Sequence, residues 1–82
     1  MNIYVACMSD TISRLLEEVK ESEANAMALN GQYEQAYELG LVEALTNSLH
    51  TWKNQLETFG IGVELGNTWK ALNQFLQEHG LP

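Results

Sequence analysis

The sequence predicts a small all-α protein, an antiparallel helical hairpin plus a third C-terminal helix, and two observations carry that prediction. Apolar residues alternate at spacings of three and four through Val42, Leu45, Leu49, Trp52, Leu56 and Phe59, the period of one helix face. Three segments then run into a glycine, at Asn30-Gly31, Phe59-Gly60 and His79-Gly80. Glycine reaches the left-handed conformation common at helix C-termini without steric cost, so each pair reads as a stop. The resulting three-helix bundle has helices at about residues 10–30, 32–59 and 67–79, in one domain over 9–82.

The first helix takes its expected cap from Ser9, Asp10 or Thr11, whose short side chains accept the free amide hydrogens of a first turn. Ile12, Leu15, Leu16, Val19, Ala26 and Leu29 follow on one side, and Glu17, Glu18 and Glu21 on another. Residues 1–8 form an N-terminal arm or extension. Met8-Ser9-Asp10 would serve as a chain start, and the alternative is a β-prone arm, Ile3-Tyr4-Val5, that docks on the body or on a neighbour. No basic start or cleavage site marks this stretch as a secretory signal.

The second helix begins at Gln32 or Tyr33, and so short a connection sets the two helices side by side. Gly40 lies inside it, where glycine costs about 1 kcal/mol relative to alanine. Leu39, Leu41 and Val42 surround it, so the expectation is that another helix crosses closely there. Phe59-Gly60-Ile61 and His79-Gly80-Leu81 have the form of Schellman stops, with Ile61 set against Leu56 and Leu81 against Leu76. Gly62 and Gly66 mark an irregular linker, Asn67 is the expected cap of the last helix, and Leu65, Trp69, Leu72 and Leu76 form its buried line. The shared tripeptides Thr51-Trp52-Lys53 and Thr68-Trp69-Lys70 read as coincidence rather than as a repeat.

The segment Asn30-Gly31-Gln32-Tyr33-Glu34-Gln35-Ala36, with Ala44-Leu45, resembles the turn and second helix of a tetratricopeptide repeat over about half of one repeat. The family normally places a large apolar residue where this chain has Gly40, and no second copy follows. The resemblance implies a shared helical-hairpin solution, and no peptide-binding role is carried over.

Eleven acidic residues face Arg14, Lys20, Lys53 and Lys70, for a net charge of −7 over 82 residues. A phosphate backbone needs clustered Lys and Arg, so direct nucleic-acid binding is disfavoured. No apolar run reaches the roughly 18 residues of a membrane span. Cys7 has no cysteine partner for a disulfide or a metal site, which fits a reducing, cytoplasmic setting. His50 and His79 lack the spacing of helical metal ligands, and Ser48 and His50, two apart on a helix, point in different directions. No phosphate-cradling glycine loop follows a strand. The chain therefore reads as a non-enzyme with no catalytic, cofactor or metal site.

Three surface features carry the functional expectation. Glu17 with Glu21, and Glu34 with Glu38, are like charges one turn apart, each pair costing about 0.2–0.5 kcal/mol in an isolated helix. Arg14 can reach Glu18 and Lys20 can reach Glu17, whereas Glu34 and Glu38 have no base at the right spacing. This acidic face is the candidate partner-binding surface. Phe75 lies off the buried line of the last helix and is the candidate apolar anchor. Leu45, Leu49, Trp52 and Leu56 are the candidate seam of a homodimer.

The favoured expectation is a non-catalytic acidic module that regulates or inhibits a larger protein by covering a basic surface, such as that of a nucleic-acid-binding protein. In size and charge the chain is similar to small acidic helical inhibitors that phages encode against host nucleic-acid machinery. The alternative is a structural helical subunit that self-associates through the Val42–Phe59 stripe.

Overall fold

The computed structural model describes residues 2–29 and 31–82. Helix α1 spans Ile3–Ala28 and α2 spans Gln32–Thr58. A short 3-10 turn over Gly62–Leu65 leads into α3, Asn67–Glu78. The all-α hairpin-plus-helix architecture is as the periodicity predicts, and its overall dimensions are 45 × 23 × 15 Å.

α1 begins well before the expected cap at Ser9, Asp10 or Thr11, so residues 3–8 belong to the first helix rather than to a separate N-terminal arm or extension. Asn2 is the cap, its Oδ1 accepting from the Tyr4 amide at 2.7 Å. Val5 is buried on the core face, so burial one turn into the chain outweighs the β preference of Ile3-Tyr4-Val5. Ser9 lies inside the helix, where its Oγ is 2.7 Å from Thr68 Oγ1.

Ile12, Leu16 and Val19 of α1 form one core with Leu49 and Leu56 of α2 and with Leu72, Phe75 and Leu76 of α3, while Ala26 is buried nearer the hairpin turn, where its carbonyl accepts from Gln35 Nε2 at 3.0 Å. Each large apolar side chain buried in this way contributes about 1.5–3 kcal/mol relative to exposure. α3 lies against both α1 and α2, so its covered face is wider than one stripe. Phe75 is for that reason only 3% exposed, which removes it as a surface anchor.

Both Schellman stops form. The Ile61 amide donates to Leu56 O at 3.0 Å and Gly60 to Glu57 O, while Leu81 donates to Leu76 O at 2.8 Å and Gly80 to Gln77 O. Gly60 and Gly80 have φ of 70° and 74°, the left-handed geometry that the stops require. The first stop is built differently. Leu29 caps α1 in an extended conformation and Gly31, at φ −83°, is the N-cap of α2 rather than a left-handed terminator; Asn30 lies outside the described residues.

Gly40 is exposed, and nothing lies within 4 Å of where its Cβ would stand, so no helix crosses there. It falls on the side of α2 opposite Leu49 and Leu56. The close approach is instead at Gly62, where a Cβ would meet the Trp69 ring at 2.7 Å. The expected irregular linker is thus a 3-10 turn whose Gly62 and Leu65 are buried, with the indole over Gly62. Asn67 is the first residue of α3 and Gly66 is its cap.

Candidate protein-binding surface at the hairpin tip

The hairpin is longer than the helix that covers it. Thr68 Oγ1, near the start of α3, lies 2.7 Å from Ser9 Oγ and 3.2 Å from Ser13 Oγ of α1. At the other end His79 Nε2 is 2.8 Å from Glu23 Oε1. α3 therefore spans α1 from about Ser9 to Glu23, and the last turns of α1 and first turns of α2 project beyond it.

Large apolar side chains crowd this projecting tip without being buried. Tyr33 is 90% exposed, Met27 88%, Tyr37 67% and Leu39 53%. Tyr33 and Tyr37 are one turn apart on α2, as are Glu34 and Glu38, so the aromatic and acidic pairs run side by side. With Leu29 these four residues line a shallow concavity of about 410 Å³. Tyr37 and Glu38 also border a second concavity, on the side away from α3, which draws Glu18 and Glu21 of α1 together with Leu41 and Leu45 of α2. Carboxylates from both helices thus converge on one aromatic strip.

Of the predicted acidic face, Glu21, Glu34 and Glu38 are brought together, and Glu18 of α1 joins them. Glu17 is exposed but lines neither concavity. The expected Arg14–Glu18 pair is replaced by Arg14 Nε to Asp10 Oδ2 at 2.9 Å. Among the described residues the ion pairs engage Asp10, Glu57 and Glu23, leaving Glu18, Glu21, Glu34 and Glu38 outside them. Glu34 nevertheless has local support: it lies in the first turn of α2, where the helix dipole favours an anion, and its carboxylate folds back over Gly31.

The proposed dimer seam is consumed within one chain. Leu49 and Leu56 are 0% and 2% exposed, so only the half-buried Leu45 and Trp52 are left to offer a neighbour. Other exposed apolar side chains, Ile3, Tyr4, Phe59 and Val63, belong to the opposite end of the molecule, where α1 begins and α2 ends.

Two core features were not legible in the sequence. Lys53 is buried on the face shared with Leu49 and Leu56, its Nζ 3.7 Å from Glu57 Oε1, so its stem serves as apolar packing. Thr46 Oγ1 is buried without a hydrogen-bond partner. Helical spacing places both on the face of Leu49 and Leu56, but their polar and charged side chains argue against burial.

His79 joins α3 to α1. Its Nδ1 lies 2.8 Å from Phe75 O, its Nε2 2.8 Å from the Glu23 carboxylate, and its ring stacks on Phe75 at 4.1 Å. Partial burial opposes the charged ring, but the bonds to Phe75 O and Glu23 and the charges of Glu23 and Glu78 outweigh it, raising the pKa above 6.5. At the end of α3 the ring meets a backbone carbonyl of the last turn, and its Glu23 contact adds a tertiary tie.

Among the described residues no group of three or more His, Cys, Asp or Glu side chains could hold a metal ion, and no helix is long and apolar enough to cross a membrane. Comparison with protein-family models, with curated proteins and with solved structures finds no match.

Proposed function

We propose that this chain is a non-catalytic protein-binding module whose hairpin tip covers a basic surface on a larger partner, regulating or inhibiting it. The observation that carries the reading is the exposed Tyr33–Tyr37 pair beside Glu34 and Glu38. Exposed tyrosines grouped within acidic residues combine a rigid apolar anchor with a polar rim, the composition of an interface centre and its edge. The carboxylates would steer a positively charged partner into contact and raise the association rate. They also act against a second copy on the same face, because two tips would bring Glu18, Glu21, Glu34 and Glu38 against their own likenesses. A protein that binds nucleic acid offers such a basic face, and the module would then compete with that ligand.

Paired affinity capture from cells of the source organism tests this. The baits are the parent, a tip variant (Tyr33→Ser, Tyr37→Ser, Glu38→Lys) and a control at the other end (Phe59→Ser, Val63→Ser), each first shown by circular dichroism to be folded. The expected result is a basic protein retained by the parent and the control, lost from the tip variant and released by salt. A partner retained equally by all three baits would overturn the assignment of the tip.

A further inference from the structure

Immediately beyond the end of α3 the α1–α2 groove opens into a notch of about 330 Å³. Its walls are Ala26 and Met27 of α1 and Leu39 and Val42 of α2, with Glu23 and His79 at the end where α3 stops. Leu39, Val42, Thr46, Leu49, Lys53 and Leu56 form one continuous face of α2 at spacings of three and four. From Thr46 onward that face is buried, and at Leu39 it is open. The notch therefore continues the seat that the core fills.

The chemistry at its closed end is unusual. His79 Nδ1 and Nε2 each stand 2.8 Å from an atom that can only accept, Phe75 O and Glu23 Oε1. A neutral imidazole has one N–H and can satisfy one of them, so both bonds form only when the ring carries two protons. The Glu23 carboxylate, at the edge of an apolar wall, is thus held by an internal cation that is lost as the ring gives up its second proton.

We infer that the notch receives a lysine or arginine side chain of the basic partner, its aliphatic stem against Met27, Leu39 and Val42 and its charged head on Glu23, with His79 holding that carboxylate until the partner arrives. This rests on the reading of the tip as the partner-binding surface. Long basic side chains combine an apolar stem with a charged head, which matches an apolar wall ending in a carboxylate. A second copy is a poor occupant, since the notch lies between Glu43, one turn beyond Leu39, and the acidic tip. Protonated His79 and the partner's cation compete for one carboxylate, so protonation and partner binding must weaken each other by the same factor.

The charged groups acting on His79 are Glu23 of α1 and Glu78 of its own helix; Lys20 of α1 lies in a neighbouring concavity beside Glu78, and the α2 residues of the notch, Gln35, Leu39 and Val42, are uncharged. The other histidine, His50, lies two turns from Val42 along α2 and needs its own control.

The test measures binding of a short N-acetylated leucine/lysine amphipathic peptide at low salt at about pH 5.5 and about pH 8, spanning the titration of histidine. The parent should bind about fivefold or more tightly at the higher pH. His79→Gln should bind tightly at both, Glu23→Gln weakly at both, and His50→Gln like the parent. Addition of peptide should lower the His79 pKa followed by NMR. A parental affinity unchanged with pH, absence of peptide binding at both pH values, or Glu23→Gln binding as the parent does would overturn the inference. In the capture experiment, loss of the partner from the tip variant with full retention by Glu23→Gln at pH 8 would reject the notch while leaving the tip reading intact. Retention by the tip variant would reject the tip itself.

Discussion

The His79 ring shows how one side chain can be half legible. Its place in a last helical turn is evident from the chain, because the orphan carbonyls there favour a donor. Its partner Glu23 is 56 residues away, and no local pattern connects them. Since the folded pKa is raised, the contribution of this tie is fully present below the unfolded value of about 6.5 and is lost as pH rises through the higher folded value. Thermal unfolding should therefore show a stabilising contribution at pH 6 that is absent at pH 9. The difference, up to about 1 kcal/mol for a solvent-accessible pair, should be removed in His79→Gln. A parent and variant with the same pH profile would show that the ring makes no differential contribution. Thr46 is the converse case, a threonine that reads as surface in the sequence yet is buried with its hydroxyl unmatched. Thr46→Val preserves shape and removes the unpaired group, and should raise stability by about 1 kcal/mol. A lower unfolding midpoint in urea would mean that the hydroxyl is satisfied in solution.

Helix ends divide by whether their signal is local. The stops at Gly60 and Gly80 were legible because a Schellman motif is written in adjacent residues, an apolar pair flanking a glycine. The start of α1 was not, since burial of Val5 by the rest of the bundle decides it, and a β-branched triplet gives the opposite local hint. The crossing expected at Gly40 is absent for the same reason: whether a backbone is approached depends on what packs there. Gly40 is open and Gly62 lies under Trp69. Gly40→Ala should consequently raise stability by up to about 1 kcal/mol through helix propensity alone. Gly62→Ala should lower it by about 1–3 kcal/mol, because a stiff indole must move. Chemical denaturation of the two variants checks both signs, and a destabilised Gly40→Ala would restore a contact at that position.

At the scale of the whole molecule, length mismatch creates the candidate surface. The periodicity of the sequence showed three helices, and their unequal lengths follow from its stop signals. What it could not show is that α3 runs from the level of Ser9 to that of Glu23 and leaves Met27, Tyr33, Tyr37 and Leu39 uncovered. The acidic face was legible as a set of like-charged pairs. Its coalescence with tyrosines depends on the hairpin bringing α1 and α2 together. With Leu49 and Leu56 inside one chain and a net charge of −7, light scattering should return the 9.2 kDa monomer mass across a wide concentration range. A dimer mass would support the structural-subunit alternative. The central claim is that the two ends of the molecule differ in role, the tip for contact and the opposite end for folding. Site-specific photo-cross-linking tests it most directly, with a benzophenone amino acid placed at Tyr37 in one protein and at Phe59 in another, both exposed aromatic positions. The account predicts that illumination in cells of the source organism joins a basic protein to the residue 37 probe and not to the residue 59 probe. Cross-linking from residue 59 with none from residue 37 would contradict it.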